Sequence, residues 1–273
     1  MIGYNKPRPE EKNYRDFIEK ITKGLNELNE PGLCLMLHGS YMRGDFIPGR
    51  SDIDATLILP NDVITDKKLV REISQITYHA LEGNDVPFQV TPLDVTTMRD
   101  GRFNSYTNEF MAYFKTEGKI IVGPDYRDEI LCLESKIGDL SALSFNLRKI
   151  RIGLVFAEKY KREDYERFLD NLMRTLNAVS RGSKQVLYLT DGELRKNRFS
   201  ALKEMPQTFP TINLEPLEEI NYLFHNLDKL DEVYRKPEEV QRLTEKSTTF
   251  LEEVIREFIR NIPIKPEKKT KPL

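Results

Sequence analysis

The segment His38-Gly-Ser-Tyr-Met-Arg-Gly-Asp-Phe-Ile-Pro-Gly-Arg-Ser-Asp-Ile-Asp-Ala-Thr-Leu-Ile-Leu59 decides the fold. It opens on a Gly39-Ser40 pair after the apolar run Leu33–Leu37 and closes on Asp52-Ile53-Asp54, which leads a second apolar run, Ile53–Leu59, stopped by Pro60. Both runs are short, rich in strand formers and bounded by turn residues, so each is predicted to be a buried strand. Residues two apart on a strand face the same way, so Asp52 and Asp54 are expected to project together while Ile53 turns into the opposite, packed layer. Two carboxylates on one spot repel unless a cation lies between them, and hard oxygen ligands suit magnesium bound jointly with substrate phosphates.

Working outward, Tyr14, Phe17, Ile18, Ile21, Leu25 and Leu28 recur at helical spacing before Pro31-Gly32, predicting an opening amphipathic helix. Residues 65–81 repeat that periodicity, 88–95 alternate as a third strand, 108–114 read as a helix, and 119–122 as a strand ended by Gly123-Pro124. Helices and strands in this order predict an α/β domain with a mixed sheet flanked by helices. Beyond Ser141 the stretches 141–161, 165–188, 214–233 and 237–259 are helical in period with little strand signal, predicting an all-α bundle. The expected division is 1–135 catalytic, 136–262 helical, and 263–273 a basic, proline-containing tail expected to be disordered.

The 273 residues are 39% hydrophobic and 32% charged, with a formal net charge of -2. That is the composition of a protein with genuine cores and a mixed-charge surface, with no general electrostatic pull toward nucleic acid. No secretory signal or bilayer-length apolar run is seen, so a cytoplasmic location without membrane partners is expected. Cys34 and Cys132 lack metal or disulfide spacing and are read as reduced packing residues. His38, His79 and His225 are likewise scattered, and only His38 adjoins the motif.

A third carboxylate is sought near the Asp pair. Asp94, at the end of Phe88-Gln-Val-Thr-Pro-Leu-Asp94, is the leading choice, since a strand beside Asp52-Ile53-Asp54 would aim it at the same metal; Glu82 and Asp85 are weaker ones. Gly39 lets backbone approach phosphate closely and the Ser40 hydroxyl can bind its oxygens. Arg43 and Arg50 flank the turn, where an arginine is more often a surface charge.

The pattern Gly39-Ser40, a spacer of about ten residues, then Asp52-x-Asp54 in an apolar setting resembles the nucleotidyltransferase superfamily typified by DNA polymerase beta. Residues 39–54 also look locally like archaeal tRNA CCA-adding enzymes. The wider layout, with Gly118–Asp125 and Asn171–Met205, resembles aminoglycoside adenylyltransferases and related small-molecule or toxin-antitoxin nucleotidyltransferases.

The resemblance implies an enzyme that transfers a nucleoside monophosphate, AMP first among them, from ATP or another nucleoside triphosphate to a hydroxyl, releasing pyrophosphate. It implies two Mg2+ ions, with Asp52, Asp54 and Asp94 as ligands and catalytic carboxylates. Gly39, Ser40 and Arg43, together with Lys196 or Arg198 from the helical domain, would bind phosphate. A small-molecule acceptor is favoured over RNA or protein, and an acidic lining near Glu163–Asp170 would mark it. The competing readings are transfer to a tRNA end or a toxin, favoured by a basic groove, and a catalytically idle nucleotide-binding module.

Overall fold

A computed structural model describes residues 8–60, 62–101, 107–131 and 136–261 of the chain. Cys132 and the tail 263–273 lie outside the described residues. The chain divides into two compact units, residues 1–142 and 143–273.

In the first unit, alternation does what its period requires. Strands β1 (Cys34–His38), β2 (Ile53–Leu59), β3 (Phe88–Asp94) and β4 (Lys119–Val122) form one mixed sheet in the order β3-β2-β1-β4. β1 pairs antiparallel with β2 and with β4, while β2 and β3 run parallel. Helices α1 (Glu11–Leu28) and α3 (Lys67–Leu81) cover one face, where Tyr14, Phe17, Ile21, Leu25, Leu69 and Ile73 pack on Leu35, Leu37, Ile53, Ala55, Leu57 and Leu59. The other face packs Cys34, Met36 and Ile58 against Met98 of α4 (Val95–Asp100) and Met111 and Phe114 of α5 (Asn108–Glu117). Each face therefore takes every second residue of β1 and β2, and a three-layer sandwich results. The single-turn helix α2 (Ser40–Arg43) bridges β1 to the loop before β2.

Helix starts are set by short polar side chains that satisfy otherwise orphaned amides. Asp66 accepts from the Lys68 amide at 2.7 Å and opens α3, and Thr107 accepts from the Phe110 amide at 3.1 Å and opens α5. Burial of the Cys34 thiol pushes its pKa up to about 12, as befits an inert core residue.

The division between units falls inside α6 (Lys136–Val155). The second unit continues through α7 (Ala157–Glu163), α8 (Tyr165–Asp191), α9 (Ala201–Thr208), α10 (Glu215–His225), α11 (Leu227–Tyr234) and α12 (Pro237–Asn261). Its centre is the long pair α8 and α12: Phe168, Leu172, Leu176 and Val179 on the first helix and Val240, Leu243, Phe250, Leu251 and Val254 on the second are buried. Gly182 lets the pair close, since a Cβ there would stand 2.9 Å from Leu251 Cδ1. Buried hydroxyls in the pair, Ser183 and Thr244, donate to carbonyls one turn back at 2.8 and 2.7 Å and so cost little to bury. Among the described residues no helix is long and apolar enough to cross a membrane.

Candidate active site

The site begins where β2 begins. Asp54 is the second residue of β2, and its partners in the sheet are His38 on β1 and Gln89 on β3. Paired residues share a face, so His38, Asp54 and Gln89 form one row on the α5 side of the sheet, at the end where Thr56 and Ile58 have given way to half-buried Asp54. Asp52 precedes β2 and is also half-buried. Strand alternation carried back through Ile53, which is fully buried on the α1–α3 side, directs Asp52 to the side of Asp54.

Gly39 sits directly against Asp54. Its backbone is in the left-handed region at φ 75°, and a Cβ there would lie 2.9 Å from both Cβ and Cγ of Asp54 and closer still to Oδ2. Only glycine meets both demands. Ser40 follows, 2% exposed, and its Oγ is buried without a hydrogen-bond partner. A buried hydroxyl left unsatisfied costs about 1–3 kcal/mol, so a group that can accept from it or donate to it fits here.

The loop into Asp52 is held from below by Tyr14 of α1. Its hydroxyl donates to the Ser51 carbonyl at 2.9 Å and accepts from the Gly49 amide at 3.2 Å. Burial, with a smaller contribution from the charge of Asp52 and against the Gly49 hydrogen bond, pushes the phenol up to about 12. The Ser51 Oγ accepts from the Ile47 amide at 3.0 Å, and Phe46 packs edge-on to Tyr14 and Tyr41 with ring centroids 4.7 and 5.1 Å apart. Tyr41 thus packs in the turn. The sequence did not single out Tyr14 as a support of the site, although its place on the buried face of α1 was legible.

Arg43 is turned into the protein. Its side chain is 12% exposed, its Nε lies 3.4 Å from Asp45 Oδ1, and its guanidinium stands 5.5 Å from the Tyr113 ring centroid. His38 is a core residue: Nε2 lies 3.2 Å from Thr56 Oγ1 and the ring packs against Phe110 and Phe114. Burial lowers its pKa to about 4, helped by the nearby Arg43 charge and opposed by a hydrogen bond with Ala55.

Asp94 does not join Asp52 and Asp54, which corrects the reading that a neighbouring strand would bring it there. Because β3 runs parallel to β2, Asp94 pairs with Leu59, five positions beyond the pair Asp54–Gln89, or about 16 Å along the sheet at the usual rise per residue. It also belongs to the opposite parity from Asp54. Its carboxylate is occupied as the N-cap of α4, accepting from the Thr97 amide at 2.8 Å and the Thr97 hydroxyl at 2.6 Å. The weaker choices are exposed and placed elsewhere: Glu82 ends α3, and Asp85 lies in the left-handed turn after it. Among the described residues no group of three or more His, Cys, Asp or Glu side chains is arranged to hold a metal ion.

In the C-terminal unit Lys196 is exposed, whereas Arg198 is 8% exposed, donates to Asn177 Oδ1 at 3.1 Å and lies 5.7 Å from the Phe224 ring centroid. The cation passed over in the sequence, Arg195, is the best tied. It pairs with Asp191 and, at 2.8 Å, with Glu204, closing the turn that ends α8.

Comparison with known proteins bears on this arrangement. The model of the nucleotidyltransferase domain family matches residues 18–116, from the middle of α1 through β3 and α4 to most of α5. Over those 99 of its 273 residues the chain is similar to a nucleotidyltransferase domain. The match supports nucleotidyl transfer as the general chemistry of this segment. No curated protein matches the chain. One solved structure, described as "Crystal structure of the toxin-antitoxin with AMP-PNP", aligns over 52% of this chain and 96% of that one at 22% identity, with a TM-score of 0.26. A likeness at that level carries no argument about this chain.

The residues fit one hard cation arriving with a nucleotide: two carboxylates at the head of β2, a glycine pressed against one of them and an unsatisfied serine hydroxyl beside it. They do not supply the third carboxylate that the two-ion expectation placed at Asp94.

Two outcomes follow from this geometry. Gly39→Ala strains the backbone and displaces Asp54, and is expected to cost about 2 kcal/mol or more in urea unfolding; an unchanged midpoint contradicts the packing. The folded pKa of His38 lies below its ordinary value of 6.5, so the folded state binds fewer protons between pH 6.5 and about 4. The stability it confers is complete above pH 6.5 and lost as pH falls toward 4, up to roughly 3 kcal/mol. Unfolding measured from pH 7 to 4 should show a shallower decline in His38→Asn than in wild type, and parallel curves would refute the assignment.

Proposed function

We propose that the first unit transfers a nucleoside monophosphate from a nucleoside triphosphate, with ATP the expected donor, to an oxygen of a small-molecule acceptor. The observation that carries this reading is the meeting of Asp54, Gly39 and the unpartnered Ser40 hydroxyl at the head of β2, within the segment that matches the nucleotidyltransferase domain family. The net charge of -2 favours a small acceptor over a long polyanion.

In this reading Asp52 and Asp54 hold Mg2+ with the triphosphate. The ion, when bound, supplies positive charge for the α-phosphate and the departing pyrophosphate. Gly39 clears the space a side chain would take beside Asp54, and the Ser40 hydroxyl donates to a phosphate oxygen, ending its isolation. The Tyr14 clasp on the Ser51 carbonyl and the Gly49 amide keeps the Asp52 loop in place, so that the acceptor meets a positioned phosphorus. Arg43 contributes through Asp45 and Tyr113, fixing the turn, and not as a mobile phosphate clamp.

Asp54→Asn and Asp52→Asn are expected to lower pyrophosphate release from ATP by on the order of 10³-fold, the equivalent of several kcal/mol of lost charge stabilisation, with thermal unfolding close to wild type. Turnover within a few-fold of wild type in either variant overturns the assignment.

A further inference from the structure

The row across the sheet at Asp54 reads His38, Asp54, Gln89. The β1 flank is a buried imidazole engaged with Thr56, Phe110 and Phe114. The β3 flank is exposed Gln89, on the same face as Asp54 and one strand spacing away, about 4.8 Å in the usual sheet. A side chain at that position is the sheet neighbour on β3 that can join the carboxylates of β2, and here it is a neutral amide. An amide oxygen is a weaker ligand for a hard cation than a carboxylate, and an amide takes no proton from an attacking hydroxyl.

Resting on the nucleotidyl-transfer reading, we propose that Gln89 makes this a one-cation site, to which the strands among the described residues add no carboxylate beside Asp52 and Asp54, and whose acceptor attacks through an oxygen that is already anionic, as in a phosphomonoester. The bonds balance without a base. The acceptor oxyanion forms a bond to the α-phosphorus, the bond from that phosphorus to the bridging oxygen breaks, and its electron pair leaves on pyrophosphate. A hydroxyl acceptor would have to release one proton in addition, and a positioned base for that step contributes on the order of 10²–10⁴-fold. Gln89 thereby selects the acceptor class by what it does not accept.

The test compares wild type with Gln89→Glu on the full chain. With Mn2+ in place of Mg2+ and an ATP analogue that cannot be cleaved between its α- and β-phosphates, wild type is expected to bind one Mn2+ per chain by electron paramagnetic resonance, and Gln89→Glu two. With α-labelled ATP, wild type is expected to label methyl phosphate at least about tenfold faster than methanol, and Gln89→Glu to narrow that ratio by raising the methanol rate. Two Mn2+ ions in wild type, label on methanol as readily as on methyl phosphate, or label on neither overturns the inference about Gln89 and its acceptor. Absence of any nucleotide-dependent Mn2+ in both proteins overturns the nucleotidyl-transfer reading itself and the inference with it.

Discussion

Parallel pairing of β2 with β3, in the register Asp54 opposite Gln89, is the constraint on which the rest of the site depends. Strand direction decides which end of β3 stands beside the carboxylates. An antiparallel β3 would bring its C-terminal end toward Asp54; the parallel one brings Phe88 and Gln89 and sends Asp94 to the far edge. The same direction lets β3 run straight into α4, whose first amides Asp94 then caps. One topological choice thus accounts for the composition of the site and for the work done by the carboxylate absent from it.

Much of this was legible in the sequence because periodicity reports faces. The spacing of Tyr14, Phe17, Ile21 and Leu25 placed α1, short apolar runs bounded by turn residues placed β1 and β2, alternation placed β3, and the parity argument that buries Ile53 matches its complete enclosure among Leu35, Leu37 and Ala55. The mixed sheet with flanking helices and the helical region after it were likewise readable. Periodicity says nothing of which strands are neighbours or which way they run, and the expectation for Asp94 failed there. A second signal was present: an Asp followed three residues later by Thr97, whose amide and hydroxyl it accepts, has the form of a helix N-cap. The six-residue α4 was too short to show a period and was missed, and α9 was missed as well.

The arginines teach a related lesson. Arg43, beside the motif, and Arg198, offered with Lys196 by the resemblance, were candidate phosphate contacts, yet both are engaged: half-buried Arg43 with Asp45 and Tyr113, and buried Arg198 with Asn177 and Phe224. A guanidinium carries five donors and a flat face, so it serves as a structural tie wherever acceptors and rings surround it. Charge alone in a sequence does not separate the two uses. The features that do mark chemistry are those without an internal purpose: the Ser40 hydroxyl with no partner, and Gly39 holding open the space beside Asp54.

The most direct measurement is of the register itself. Backbone nuclear Overhauser contacts in isotopically labelled protein should connect Ile53 and Asp54 with residues Phe88–Val90, and Leu59 with Asp94. Contacts linking Asp54 to Leu93 or Asp94 instead would mean that β3 is reversed, which would return the third carboxylate to the site and contradict the account.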